Sequence, residues 1–128
     1  MTPNDLTHPA EHLARARHAL DLGDETAAVL WCSLCAEAAV DKLAERRGID
    51  TRKNHFRRAS LARRLSESGV LDDDLGDLLI RLNNERNHAT YEGHQPDLRG
   101  RSWDYVLACL DDLVAAACRA EGSAERRG

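Results

Sequence analysis

The most restrictive feature of this chain is the spacing of its apolar residues, which recur every three or four positions through most of its length. The clearest case is residues 24–47, whose apolar positions include Ala27, Leu30, Trp31, Leu34, Cys35, Ala38 and Leu43. This spacing predicts an α-helix, and a face this wide predicts a central helix with neighbours on several sides. Alanine and leucine are plentiful and aromatic residues make up only 4% of the chain, which favours helix over sheet.

The same pattern divides the chain into five helical segments. They are residues 9–22, residues 24–47, a short one at residues 54–69, one that starts near residue 71 and ends between residues 87 and 91, and residues 102–120. Gly23 and Gly48 follow the first two segments, Gly69 ends the third, and the loop before the last contains glycine and proline. We therefore predict an all-α fold, an antiparallel four-helix bundle with an additional short helix, as one domain over residues 1–120. Residues 121–128 are expected to be a disordered tail.

Composition and motifs exclude several classes of protein. No apolar run reaches the roughly 20 residues of a membrane span, and the N-terminus lacks a signal-peptide pattern, so we expect a cytoplasmic protein that does not contact a membrane. The chain has no Gly-rich phosphate loop, no His-Glu-x-x-His and no Gly-x-Ser-x-Gly, and no cofactor or metal is expected. Cys32 and Cys35 lie mid-helix among apolar residues, which predicts a structural role. His8, His12 and His18 are expected at the surface.

Charge is distributed unevenly along the chain. The formal net charge is −4, yet residues 46–64 contain eight basic residues and one acid, so this stretch carries +7 and the rest carries −11. Arg57 and Arg58 lie in this stretch, directly after His55 and Phe56. Such a stretch is either a solvated helix surface or a patch that attracts phosphate.

The fourth segment places a charge where its apolar pattern predicts the core. Continuing the leucine spacing of this segment leads to Arg86 on the core-facing side. A buried guanidinium is costly unless it is paired. In the second segment, Glu37 follows Leu30 and Leu34 on the same face. We therefore predict that Arg86 lies within ion-pair reach of Glu37. The pair either fixes how the two helices pack, or Arg86 points into a cleft and serves a ligand.

From about residue 13 to residue 113, the order of these features resembles the HEPN domains of prokaryotes. The matching features are Ala-Glu-Ala-Ala at residues 36–39, His55 after a polar linker, and Leu-Asn-Asn-Glu-Arg-Asn-His-Ala-Thr-Tyr at residues 82–91. HEPN domains are small helical bundles of toxin–antitoxin pairs and other defence systems. The resemblance implies a homodimer with the Arg86 clusters near the interface, and a minimal nucleotidyltransferase as one kind of partner.

Active HEPN domains carry an arginine, a polar residue and, a few positions later, a histidine. In a chain that resembles them, this motif implies RNA cleavage without a metal. Arg86 and Asn87 match the first two positions, but Tyr91 stands where the histidine is expected. His94 comes too late and His88 too early. Arg81 and His88 also fit the spacing, but Leu82 follows Arg81 instead of a polar residue.

Three functions are consistent with this variant motif. The first is a non-catalytic module that binds RNA, a nucleotide or a partner protein; the residues expected to bind are Arg86, Asn87, Tyr91, Glu37, His55, Arg57 and Arg58. The second is a metal-independent endoribonuclease or toxin in which Arg86 acts with His88 or His94. The third is a helical scaffold with no nucleotide role. A tyrosine, with a reference pKa of about 10, exchanges protons poorly at neutral pH, which favours the first.

Overall fold

The structure is a computed structural model that describes residues 8–46, 73–88 and 96–127. In these residues the chain forms four α-helices and no strand: α1 (Pro9–Asp21), α2 (Glu25–Arg46), α3 (Asp73–His88) and α4 (Trp103–Arg127). The predicted all-α bundle is therefore confirmed. The short helix that the sequence predicts over residues 54–69 lies outside the described residues.

Gly23 and Asp24 specify the turn between α1 and α2. Gly23 has a φ of +74°, and its N–H donates to the Leu20 carbonyl at 3.0 Å. The N–H of Asp24 donates to the Ala19 carbonyl at 2.8 Å, which completes a Schellman cap at the end of α1. The Asp24 carboxylate then accepts the N–H of Ala27 at 3.0 Å and caps the start of α2. With so short a turn, α1 and α2 run antiparallel.

α2 is the central helix and packs against α1, α3 and α4. Most of the residues that it buries are small: Ala28, Val29, Cys32, Ser33, Cys35, Ala36, Ala39 and Val40. Small side chains at a contact allow helix axes to approach closely. Larger residues from α3 and α4 complete the core, among them Leu78, Leu82, Leu110 and Leu113. The central position that the wide apolar face predicts is thus confirmed.

Cys32 and Cys35 belong to this core. Both side chains are fully buried and neither forms a disulfide. Burial raises the pKa of each thiol to about 12. The thiolate is the form that binds metals and exchanges disulfides, so neither reaction is favoured near neutral pH. The Cys-x-x-Cys pattern is structural, as the sequence predicts.

Ion pairs attach the segment before α4 to α3. Arg81 donates from Nε to the backbone carbonyl of Asp97 at 2.9 Å and from Nη2 to its carboxylate at 2.8 Å. Arg101 pairs with Asp77 at 2.8 Å, four residues before Arg81 on the same helix. These contacts hold the irregular segment against α3 while Leu98 enters the core.

α4 begins at a capped position and ends later than the sequence predicts. The Ser102 hydroxyl accepts the N–H of Tyr105 at 3.1 Å and caps the helix. A helix end at Ala120 and a disordered tail were expected, whereas the helix continues to Arg127. Residues 121–127 contain alanine, glutamate and arginine, which are strong helix formers. Gly122 opposes them by only about 1 kcal/mol relative to alanine.

His12 departs from the expected surface position because it faces α2. Its side chain is only 7% exposed and stacks on Trp31, with ring centroids 5.7 Å apart. Nδ1 of His12 has no hydrogen-bond partner within the described residues. Burial, and secondarily the charge of Arg15, lowers the pKa of His12, which favours the neutral imidazole in the folded protein. His18 is exposed, as expected.

We predict that the free energy of unfolding falls as the pH is lowered from about 8 to about 5.5, and that His12 causes much of the fall. The unfolded chain takes up a proton near the ordinary histidine pKa of about 6.5. The folded protein, in which the pKa of His12 is lower, takes up this proton only at lower pH, so acid favours unfolding. Urea denaturation across this range measures the effect. His12→Phe should flatten the slope, and a slope equal to that of the unsubstituted protein would contradict this role of His12.

Candidate functional site

The candidate site lies where the last turn of α3 contacts the middle of α2. Nη1 of Arg86 donates a hydrogen bond to Oε1 of Glu37 at 2.7 Å. The ion pair that the sequence predicts is therefore confirmed. The Arg86 side chain is 28% exposed and that of Glu37 is 14% exposed, so the pair lies at the edge of the core.

The sequence of α3 explains why charges occur at this position. Leu78, Leu79 and Leu82 are buried in the core, and the next turn continues the same face with Glu85 and Arg86. Glu85 is only 3% exposed and pairs with Arg81 at 3.1 Å. One face of α3 therefore changes from leucine contacts to ion pairs along its length. Each buried charge has an opposite charge beside it, which offsets the cost of removing it from water.

Glu37 orients the Arg86 guanidinium through one hydrogen bond, while the side chain stays 28% exposed. A guanidinium has five N–H donors in one plane, and a single N–H accounts for the bond to Glu37. Within the described part of the chain, Arg86 forms no other hydrogen bond or ion pair. One partner thus orients the group, and its other N–H donors can bind phosphate or carboxylate where the side chain is exposed.

α3 does not bring His88 together with Arg86. Asn87 and His88 are both exposed in the same last turn. Residues two apart on a helix project about 200° apart, so His88 leaves α3 from the side opposite Arg86. Arg81 shares a helical face with His88 but is bound by Asp97 and Glu85. Arg81 is therefore a structural residue in this position.

The other predicted site residues lie outside the described residues: His55, Arg57, Arg58, Tyr91 and His94. Within the described ranges, no three His, Cys, Asp or Glu side chains are grouped so that they could hold a metal ion. None of the helices described here has both the length and the apolar character that a membrane crossing requires.

Sequence reasoning missed one feature, an open groove between the end of α1 and the start of α4. Leu20 and Trp103 are apolar residues of two separate helical segments, and both line this groove with part of their surface exposed. No local pattern could have indicated it, because its walls come from residues about eighty positions apart.

Comparison with known proteins finds no family model, no curated protein and no solved structure that matches this chain.

We predict that Arg86 and Glu37 contribute jointly to stability. Glu37→Gln leaves a partly buried guanidinium without its opposite charge, which should lower the free energy of unfolding by about 1–3 kcal/mol. Glu37→Gln/Arg86→Gln should cost less than the sum of the two single substitutions. Urea unfolding of the four proteins gives the coupling free energy of the pair.

The ion pair between Arg17 and Asp111 provides a matched control, since its side chains are 45% and 52% exposed. Solvent screens such a pair, so its coupling free energy should be below about 1 kcal/mol and smaller than that of Arg86 and Glu37. Strictly additive effects at Arg86 and Glu37 would show that the contact does not stabilise the fold.

Proposed function

We propose that this chain is a non-catalytic helical module that binds RNA, with Arg86 contacting a phosphate of the RNA backbone. The observation that supports this is the geometry of Arg86, which Glu37 holds at 2.7 Å while its side chain stays 28% exposed. A guanidinium that is already oriented loses less conformational freedom on binding than a mobile one. Arginine is also the side chain best matched to the planar, two-oxygen edge of a phosphate.

Features elsewhere in the chain favour RNA as the anion that Arg86 binds. Glu37 neutralises the charge of Arg86, so Arg86 supplies geometry and other cations must supply long-range attraction. The stretch at residues 46–64, with its net charge of +7 and with Arg57 and Arg58, can supply it. Asn87 is exposed beside Arg86, and its amide can bond to a phosphate or a ribose hydroxyl. The resemblance to HEPN domains points to the same ligand.

The proposed module is non-catalytic because a proton-exchanging partner for Arg86 is missing from α3. Metal-free RNA cleavage needs a group that gains and loses a proton near neutral pH, and histidine is the usual choice. His88 projects from the opposite side of the helix, and Tyr91 occupies the expected histidine position. Cleavage by Arg86 with His94 is the alternative that the experiment below addresses.

The resemblance further suggests that the module acts as a homodimer with the two Arg86 sites near the interface. A minimal nucleotidyltransferase is the partner protein that the family context suggests. Sedimentation velocity at micromolar concentration tests the first point, and a monomer there would contradict it.

RNA binding measured by fluorescence anisotropy, with a labelled single-stranded oligonucleotide in the presence of a chelator, tests the proposal. Arg86→Ala should weaken binding about tenfold, because it removes a charge-assisted contact. Arg86→Lys should recover only part of the affinity, since lysine keeps the charge but lacks the planar edge. Arg17→Ala, which removes an arginine elsewhere on the surface, is the matched control and should have little effect.

The same RNA examined on a gel distinguishes the remaining functions. Intact RNA together with binding that depends on Arg86 is the expected result. Cleavage in chelator that is lost in both Arg86→Ala and His94→Ala would instead identify a metal-independent ribonuclease. Absence of any RNA binding, or equal losses in Arg86→Ala and Arg17→Ala, would contradict the proposed role of Arg86.

A further inference from the structure

A groove opens at the end of the molecule where α1 ends and where α2 and α4 begin. Its volume is about 670 Å³. Its lining residues are Leu20, Trp103 and Leu107, which are apolar, the carboxylates of Asp21, Glu25 and Asp104, Gly23, and Arg17, whose charge is paired with Asp111. Each of these residues is at least partly exposed. The groove therefore combines an apolar wall with negative charge.

Contacts between three helices hold the groove in shape. Trp103 donates its indole N–H to Oε1 of Glu25 at 2.7 Å, which joins the first turns of α2 and α4. Arg17 pairs with Asp111 and joins α1 to α4. Apart from its two chain neighbours, no residue has an atom within 4 Å of where a Cβ on Gly23 would lie, so the space beside this turn is open. The indole is thus held at the side of an accessible depression.

Favourable interactions with helix dipoles account for only some of the acidic residues at the groove. Glu25 and Asp104 lie in the first turns of their helices, where negative charge is favourable. Asp21 is the last residue of α1, where negative charge opposes the helix dipole. Within the described residues, neither Asp21 nor Asp104 forms an ion pair. These two carboxylates are therefore available to an external cation.

We propose that this groove binds a basic segment of a partner protein. An arginine side chain of that segment lies beside Trp103, where the indole attracts a cation, and its charge faces Asp21 and Asp104. A neighbouring apolar side chain of the segment covers Leu20 and Leu107. Charge complementarity is the basis for this choice of occupant, because the groove offers two unpaired carboxylates.

This surface is separate from the site at Arg86. Glu25 at the groove and Glu37 at the other site are about 18 Å apart along α2. The groove therefore presents carboxylates to cations, and the site further along α2 presents an arginine to anions. A partner bound in the groove would leave Arg86 accessible.

Titration of the ¹⁵N-labelled protein with two blocked peptides, Leu-Arg-Leu-Arg and Leu-Glu-Leu-Glu, tests this inference by NMR. The arginine peptide should cause a saturable shift of the Trp103 indole signal and of the Gly23 amide signal. The Trp31 indole, which stacks on His12 outside the groove, is an internal control and should not move. No saturable shift at Trp103, or equal shifts with the glutamate peptide, would overturn the proposal.

Two substitutions of equal charge change on α4 separate specific binding from general attraction to an acidic protein. Asp104→Asn should weaken binding of the arginine peptide about threefold, and Asp21→Asn/Asp104→Asn about tenfold. Asp112→Asn removes an exposed carboxylate that is not part of the groove and should leave the affinity unchanged. Far-UV circular dichroism checks that each variant is folded. Equal weakening by Asp104→Asn and Asp112→Asn would overturn the assigned site.

Discussion

The small buried side chains of α2 allow α1, α3 and α4 to pack against one helix. Ala28, Cys32, Cys35 and Ala39 are fully buried on this helix, and the leucines of α3 and α4 fill the space beside them. A larger side chain at one of these positions would push a neighbouring helix away or force strained rotamers. The distance between Glu37 on α2 and Arg86 on α3 depends on this packing. The candidate site is therefore a consequence of how closely the core is packed.

Ion pairs at the edges of the core determine which arginines can act on a ligand. Arg81 and Arg101 are used to attach the segment before α4 to α3. Within the described residues Arg86 has one ion-pair partner, Glu37, and its side chain is 28% exposed. The same residue type thus has a structural role in the middle of α3 and a candidate binding role at its end. This division follows from geometry, since all three arginines carry the same charge.

Much of this organisation could be predicted from the sequence, because it depends on local periodicity and on the cost of burying charge. The helical spacing indicated α2 as the central helix, and a guanidinium on an apolar face indicated a partner on the facing helix. The burial of His12 was missed because a histidine next to Leu13 fits a surface position as well as a core one. The groove and the contact between Arg81 and Asp97 join residues from different segments, and no local pattern specifies such neighbours. The extension of α4 to Arg127 depends on a small balance of helix propensities around Gly122.

The most direct test of the central claim is side-chain NMR of Arg86 in the free protein and with single-stranded RNA. If Glu37 orients the guanidinium, rotation about its Cζ–N bonds is restricted in the free protein, and Glu37→Gln removes the restriction. Addition of RNA should then shift the Nε–H signal of Arg86 and leave that of Arg17 unchanged. Arg86 signals that are the same in Glu37→Gln would contradict the orienting role of Glu37. Arg86 signals that do not respond to RNA would contradict the binding role of Arg86.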